Sequence, residues 1–199
     1  MDELYKTKNS KYCYENTNTL INKLNIQNAE ELLKYEAKIT ALKSLSLRQQ
    51  GITGNFDKTH YIAIHKYLFE DIYPFAGKFR TENIAKGAFR FAEWEYIEQE
   101  LEKLLENLKK ENYLNGLSKL ELSKRLAYYL SELNVLHPFR EGNGRTNREF
   151  IRQLALKNGY RLNLKKVAPE ETLEASIKSI VDTNDLEKIL EECLEEINL

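Results

Sequence analysis

Apolar residues recur three and four positions apart along most of this chain, the pattern of helices with one buried face. Leu32, Tyr35, Ile39 and Leu42 form one stripe, inside a helix expected over 27–46. Tyr61, Ile64, Leu68 and Ile72 form the next, with Asp57 placed to cap it. Ile97, Leu101, Leu104 and Leu108 follow in a helix whose outer face of Glu and Lys reads as solvated, ending near "NYLNG". Ser118 and Glu121 make a capping box, after which Leu122, Leu126, Tyr129, Leu133 and Leu136 alternate steps of four and three. Pro138 stops that helix just after His137. Phe150, Ile151 and Leu154 mark another buried helix, closed by Asn158-Gly159. Two short helices are expected at 170–182 and 184–197, the last with an apolar face of Leu186, Leu190, Cys193 and Ile197.

One segment breaks this rhythm. "RTENIAKGAFRFAEW", Arg80 to Trp94, alternates Phe89 and Phe91 around Arg90 after a Lys86-Gly87 turn, which predicts a short β-hairpin. The expected class is therefore all-α: one helical domain over 27–199 carrying a hairpin, preceded by a polar, loosely packed arm over 1–26.

Bulk properties narrow what such a domain does. At 199 residues the chain is long enough for a real core. Thirty Lys and Arg against 31 Asp and Glu leave a net charge of −1, so no broad field recommends nucleic acid or an anionic membrane as partner. Cys13 and Cys193 stand far apart with no Cys-x-x-Cys spacing, which reads as two reduced thiols in a cytoplasmic protein. The opening residues carry charge where a signal peptide needs an apolar run, and no stretch approaches the roughly 20 apolar residues of a membrane span.

The chemistry concentrates in "HPFREGNGRTNR", His137 to Arg148. Gly142 and Gly144 flank Asn143 ahead of a helix, where free backbone N–H groups and the helix dipole favour an anion, and glycine lets phosphate approach the backbone. Arg145 and Arg148, three apart on the first turn, can lean toward the same anion as charge-assisted donors. Glu141 would repel phosphate unless a divalent cation such as Mg²⁺ sits between them. His137, four residues earlier at a helix end, is placed to take a proton from an attacking hydroxyl. Singly, these are a turn, a cap and surface charges. No turn or cap requires all of them, and together they are the parts of a phosphoryl-type transfer.

These twelve residues resemble the signature of the Fic (filamentation induced by cAMP) domain family, His-x-Phe-x-(Asp/Glu)-Gly-Asn-Gly-Arg-x-x-Arg. His137, Phe139, Glu141, Gly142, Asn143, Gly144, Arg145 and Arg148 meet every fixed position. "HKYLFEDIYPFAGKFRTENIAKGAFRF" resembles the family's helix and flap hairpin, and "YENTNTLINKLNI" the N-terminal arm of its small bacterial members. The resemblance implies transfer of AMP from ATP to a protein hydroxyl on an all-helical core. It implies His137 as base, Glu141 as Mg²⁺ ligand, and Gly142, Asn143 and Gly144 as a phosphate cradle. Arg145 and Arg148 would clamp the outer phosphates, and Phe139 would anchor the loop. Lys86, Gly87 and Ala88 are the expected flap tip, whose edge would pair with an extended target segment; Arg80 is either a flap support or a nucleotide contact.

Other readings keep the same site. A kinase branch of the family has Lys at the second motif glycine, and Gly144 argues against it here. Phosphodiester hydrolysis, including removal of AMP from a protein, and a non-catalytic helical interaction module also stand. Small bacterial relatives are often toxins acting on type II topoisomerases, so the resemblance implies DNA gyrase B or topoisomerase IV as target. It also implies an inhibitory helix, (Ser/Thr)-x-x-x-Glu-(Gly/Asn), whose Glu faces the second arginine, here Arg148. This chain has only near misses, "SLRQQG" at Ser46 with Gln50 in place of Glu, and "TNDLEK" at Thr183 ending in Lys188. Inhibition is therefore expected in trans, from a small helical antitoxin seated beside the 27–46 helix.

Overall fold

The computed structural model describes residues 10–197, so residues 1–9 of the expected arm lie outside it. Among the described residues there are seven α-helices and two short antiparallel strand pairs, the all-α class expected. They divide into two compact units. The first holds the N-terminal stretch to 55, 59–98 and 137–146; the second holds 56–58, 99–136 and the chain from 147 onward.

In the first unit, the described part of the arm is packed. Cys13 bridges to Leu20, and Thr19, Leu20 and Asn22 are buried. The Asn22 amide donates to the carbonyls of Leu20 (3.0 Å) and Ile26 (2.7 Å), and Lys23 N–H to the Ile72 carbonyl (2.8 Å). Helix α1, Ala29–Gln50, starts where the Asn28 side chain accepts from Glu31 N–H and ends at Gly51, whose φ of 69° suits glycine. Its buried face differs from the predicted stripe. Leu32 is buried, but the next positions inward are Glu36 and Thr40; Tyr35 and Ile39 are half-buried and Leu42 is 65% exposed. Apolar periodicity misplaces this face because two polar residues on it have buried partners, described below, that outweigh the pull of the aliphatic stripe.

Helix α2, Lys58–Phe69, directly follows Asp57 and buries Tyr61, Ile64, His65 and Leu68; Ile72, just past its end, is also fully buried. The hairpin is shorter than its sequence suggests. Strand β1, Ala85–Lys86, pairs with β2, Phe89–Arg90, across a Gly87-Ala88 loop with Gly87 at φ 59°. Below that, one further backbone bond joins the legs, Phe91 N–H to the Ile84 carbonyl (3.3 Å), and Arg80 ties them beyond it. It is 1% exposed and donates from its terminal nitrogens to the carbonyls of Glu82 (2.8 Å) and Ala92 (2.5 Å), one on each leg. Arg80 is a flap support.

Helix α3 (Ile97–Lys110), which belongs to the second unit from Gln99 onward, buries Ile97, Leu101, Leu104 and Leu108 as its spacing predicts. Helix α4, Lys119–Leu136, begins with the expected capping box: Glu121 N–H donates to Ser118 Oγ (3.3 Å) and Ser118 N–H to the Glu121 carboxylate (2.9 Å). Helix α5, Asn143–Lys157, starts in the first unit and continues into the second, closing at Gly159 with φ 84°. Helix α6, Pro169–Lys178, opens on its proline, and α7, Asn184–Cys193, packs on α4 through buried Leu186 and Leu190.

The expected 184–197 helix stops early. Strand β4, Leu194–Glu196, turns to pair with β3, Tyr160–Leu162, and Ile197 N–H donates to the Gly159 carbonyl (2.9 Å). Ile197 is therefore not part of the α7 face. Leu162 and Leu194 are opposite one another and buried, so a strand here hides Leu194 while satisfying backbone groups that a frayed helix end would leave open. Leu190 is fully buried, so Leu190→Ala should cost about 2–5 kcal/mol of stability, read by urea unfolding. A loss below about 1 kcal/mol would contradict the packing of α7 on α4.

Candidate active site

The loop 137–142 carries buried backbone, and each polar group it buries needs a partner inside the protein. His137 is in the left-handed region at φ 46°, a conformation that costs energy for a non-glycine residue. Arg80 holds it: its Nε donates to the His137 carbonyl (2.8 Å) and its backbone N–H to the Pro138 carbonyl (2.9 Å). One arginine thus joins the flap's two legs to the start of the loop.

Phe139 is fully buried, stacked against His65 with ring centroids 3.6 Å apart and against Tyr61 at 5.5 Å. Its backbone is satisfied by a single side chain. Asn143 Oδ1 accepts from Phe139 N–H (2.8 Å) and Asn143 Nδ2 donates to the Phe139 carbonyl (2.7 Å). His65 holds the Glu141 carbonyl. Its Nδ1 accepts from Gly77 N–H (2.8 Å), which leaves the proton on Nε2, and Nε2 donates to that carbonyl (2.9 Å). Burial pushes the His65 pKa down to about 3, with the Arg145 charge acting in the same direction and the Glu141 hydrogen bond opposing. Gly142 follows at φ 84°, where an added Cβ would lie 2.3 Å from the Phe69 ring. Only glycine fits there.

With the backbone so fixed, α5 begins at Asn143, and the first-turn N–H groups of Asn143, Gly144 and Arg145 meet no acceptor among the described residues. Around this helix start stand three functional side chains. The His137 ring is half-buried and stacks on Phe91 of the flap at 3.8 Å. Glu141 Oε1 accepts from Gly142 N–H (2.8 Å) and faces Arg145 at 3.4 Å, while Oε2 accepts from no described residue. Burial and the nearby Glu36 charge raise the Glu141 pKa, and Arg145 opposes them.

Arg145 is gripped from α1. Its terminal nitrogens reach Glu36 Oε1 (2.5 Å) and Thr40 Oγ1 (3.1 Å), and its guanidinium lies 4.7 Å from the centre of the Phe69 ring. Glu36 in turn accepts from the buried Tyr73 hydroxyl. Burial works against the Arg145 charge, but Glu36 and Glu141 prevail and hold its pKa up.

The structure therefore gathers His137, Glu141, Gly142, Asn143, Gly144 and Arg145 about one helix start. Arg148 is exposed further along α5, in the second unit's part of that helix. Lys86, Gly87 and Ala88 lie at the hairpin turn, the last two exposed. Residues overlooked in the sequence are Glu36, Thr40, Tyr73 and His65. The available signal was the spacing of Glu36 and Thr40, four and eight positions after Leu32, on one helix face. Of the two near misses to an inhibitory motif, Gln50 is exposed at the end of α1, and Glu187 accepts locally from Thr183 Oγ1 (2.6 Å).

No group of three His, Cys, Asp or Glu among the described residues could hold a metal by itself. A lone carboxylate with one unengaged oxygen, beside a helix start that attracts phosphate, does suit Mg²⁺, which takes most of its ligands from water and substrate phosphates.

A helical domain with a hairpin flap, a histidine and a carboxylate at an anion-binding helix start defines a class of nucleotide-using transfer proteins. The chain belongs to the Fic/DOC family, whose model matches residues 55–155. It is 41% identical over 182 residues to the protein adenylyltransferase VbhT of Bartonella schoenbuchensis, covering 92% of this chain and 38% of that protein. With the "Probable protein adenylyltransferase Fic" of Salmonella typhimurium it shares 36% identity over 186 residues, covering 93% of this chain and 92% of that one. The N-terminal Fic domain of a VirB-translocated Bep effector from Bartonella quintana, solved with bound ADP, superposes with a TM-score of 0.87 at 29% identity, covering 94% and 95% of the two chains.

His65 gives a pH prediction. Its folded pKa, about 3, is below the ordinary value of about 6.5, so between them the unfolded chain binds the extra proton. Its contribution to stability is whole above the upper value and declines as pH falls toward the lower. Thermal melts from pH 7 to 4.5 should show a falling midpoint, with a shallower slope in His65→Gln; equal slopes would contradict the neutral, buried imidazole.

Proposed function

We propose that this chain is a protein adenylyltransferase that moves AMP from ATP to a tyrosine, serine or threonine hydroxyl of another protein. The observation that carries this reading is the fixed placement of His137 and Glu141 beside the open N–H groups that begin α5. His137 takes the proton of the target hydroxyl, whose oxygen bonds to the α-phosphorus as the bond to the bridging oxygen breaks and pyrophosphate leaves. Its ring is steadied by Phe91 and its backbone by Arg80, so the imidazole is aimed before the target arrives.

The open N–H groups of Asn143 and Gly144 cradle the phosphates, Gly142, whose own N–H is taken by Glu141, supplies the left-handed turn that aims them, and Arg145 neutralises charge on the departing group. Arg148, one turn on along α5, is assigned to the outer phosphates by the signature alone. Glu141 is the residue that would hold Mg²⁺, which when bound supplies positive charge to the phosphate oxygens. The turn at Lys86, Gly87 and Ala88 presents a short strand edge to an extended target segment, positioning its hydroxyl through main-chain bonds.

The net charge of −1 supports a protein rather than nucleic acid as the partner, and no helix among the described residues is long and apolar enough to cross a membrane. By the family resemblance, the target is DNA gyrase B or topoisomerase IV in the cytoplasm. A small helical antitoxin supplies in trans the glutamate that neither Gln50 nor Glu187 provides.

Incubating the purified chain with ATP and a bacterial lysate, then reading modified peptides by mass spectrometry, tests the reaction class. Gain of AMP is expected; gain of phosphate, loss of AMP or no change would overturn it. His137→Ala should still bind ATP but transfer AMP about 10²–10⁴-fold more slowly in a labelled-ATP assay. A rate equal to that of the native chain would remove His137 as the base.

A further inference from the structure

We infer that Glu36, on α1, is a positioning residue that draws Arg145 away from Glu141 and so leaves the Glu141 carboxylate open to a cation. The inference rests on the reading of Glu141 as a cation ligand. Two carboxylates compete for one guanidinium here. The same terminal nitrogen of Arg145 is 2.5 Å from Glu36 Oε1 and 3.4 Å from Glu141 Oε1, so both pairs are made and the one with Glu141 is the longer and weaker.

Glu36 has the firmer hold because it is itself immobilised. It is 5% exposed, it accepts from the Tyr73 hydroxyl, and it projects from the middle of a 22-residue helix. Thr40, one turn on, accepts from the other terminal nitrogen (3.1 Å) while its own hydroxyl donates to the Glu36 carbonyl (2.8 Å). Both terminal nitrogens are thereby turned toward α1, and the Phe69 ring lies against the guanidinium at 4.7 Å. Without the Glu36 charge, the nearest anion to this half-buried guanidinium is Glu141. That pair would then tighten, and a cation could reach Glu141 only by parting it.

A purely structural role for Glu36 would weaken ligand binding whether or not metal is present. Positioning makes a narrower prediction, a changed metal requirement, and the charge of Glu36 acting directly on the cation is separable from its action through Arg145. ADP binding to the full chain, measured by calorimetry in EDTA and at graded Mg²⁺ concentrations, reads these differences without any turnover.

In Glu36→Gln the Mg²⁺ concentration needed for half of the metal-dependent gain in ADP affinity should rise ~10–100-fold, the usual effect of losing a residue that orients a metal ligand. ADP affinity in EDTA should be unchanged, since Arg145 exchanges one carboxylate partner for another. In an Arg145→Gln background, Glu36→Gln should leave the Mg²⁺ requirement where Arg145→Gln alone puts it. Thr40→Val, which keeps all charges, should move the requirement in the same direction by a smaller step and covers the case of a Glu36 variant that does not fold. If native ADP binding ignores Mg²⁺, the reading of Glu141 fails and this inference falls with it. If native binding responds but Glu36→Gln and Thr40→Val respond identically to it, or if the Glu36→Gln shift persists without Arg145, the positioning role alone is overturned.

Discussion

Burying the backbone of Phe139 is the constraint on which the rest of the site depends. A fully buried residue inside a loop has an N–H and a carbonyl with no helix or strand to bond them, and leaving either unpaired costs about 1–3 kcal/mol. Asn143 meets both demands with one amide. Because Asn143 is also the first residue of α5, the bond that satisfies Phe139 fixes where the helix starts, and hence where its free N–H groups point. His65 and Arg80 extend the same solution to Glu141, His137 and Pro138. The loop keeps an energetically costly turn at His137 because its neighbours on both sides are held.

The flap is ordered by the same means. Arg80 bonds both legs of the flap and the loop beneath it, so the hairpin and His137 are positioned by one buried guanidinium. Phe91 then reaches from the flap to the His137 ring. Opposite charges are arranged with similar economy: Arg145 stands between Glu36 and Glu141, and Tyr73 supports Glu36 from behind. The candidate site side chains are thus oriented by groups set behind them.

What was legible in the sequence was local. Helix spacing, the Ser118–Glu121 box, the hairpin turn and the signature from His137 to Arg148 each declare themselves within a dozen residues. The errors arose where a distant partner decides. The face of α1 turned because Glu36 and Thr40 answer to Arg145, more than 100 positions away, and a hydrophobicity pattern counts both as surface. Residues 194–197 left the helix because a strand edge at 160–162 offered bonds and a cover for Leu194. Arg80 has the same ambiguity: flap support and nucleotide contact stay equally open until its three carbonyl acceptors are seen. His65 gave no sign of its role, since a histidine among apolar helix positions usually signals only a satisfied core residue.

The loop is built before any ligand arrives, by the chain's own buried donors. Crystal structures of the chain alone and with ADP and Mg²⁺ test it most directly. The backbone of residues 137–145 should superpose within about 1 Å, with the bonds of Asn143, His65 and Arg80 to the loop present in both. A free structure in which those bonds are broken and the loop takes another course, forming only with nucleotide, would contradict it.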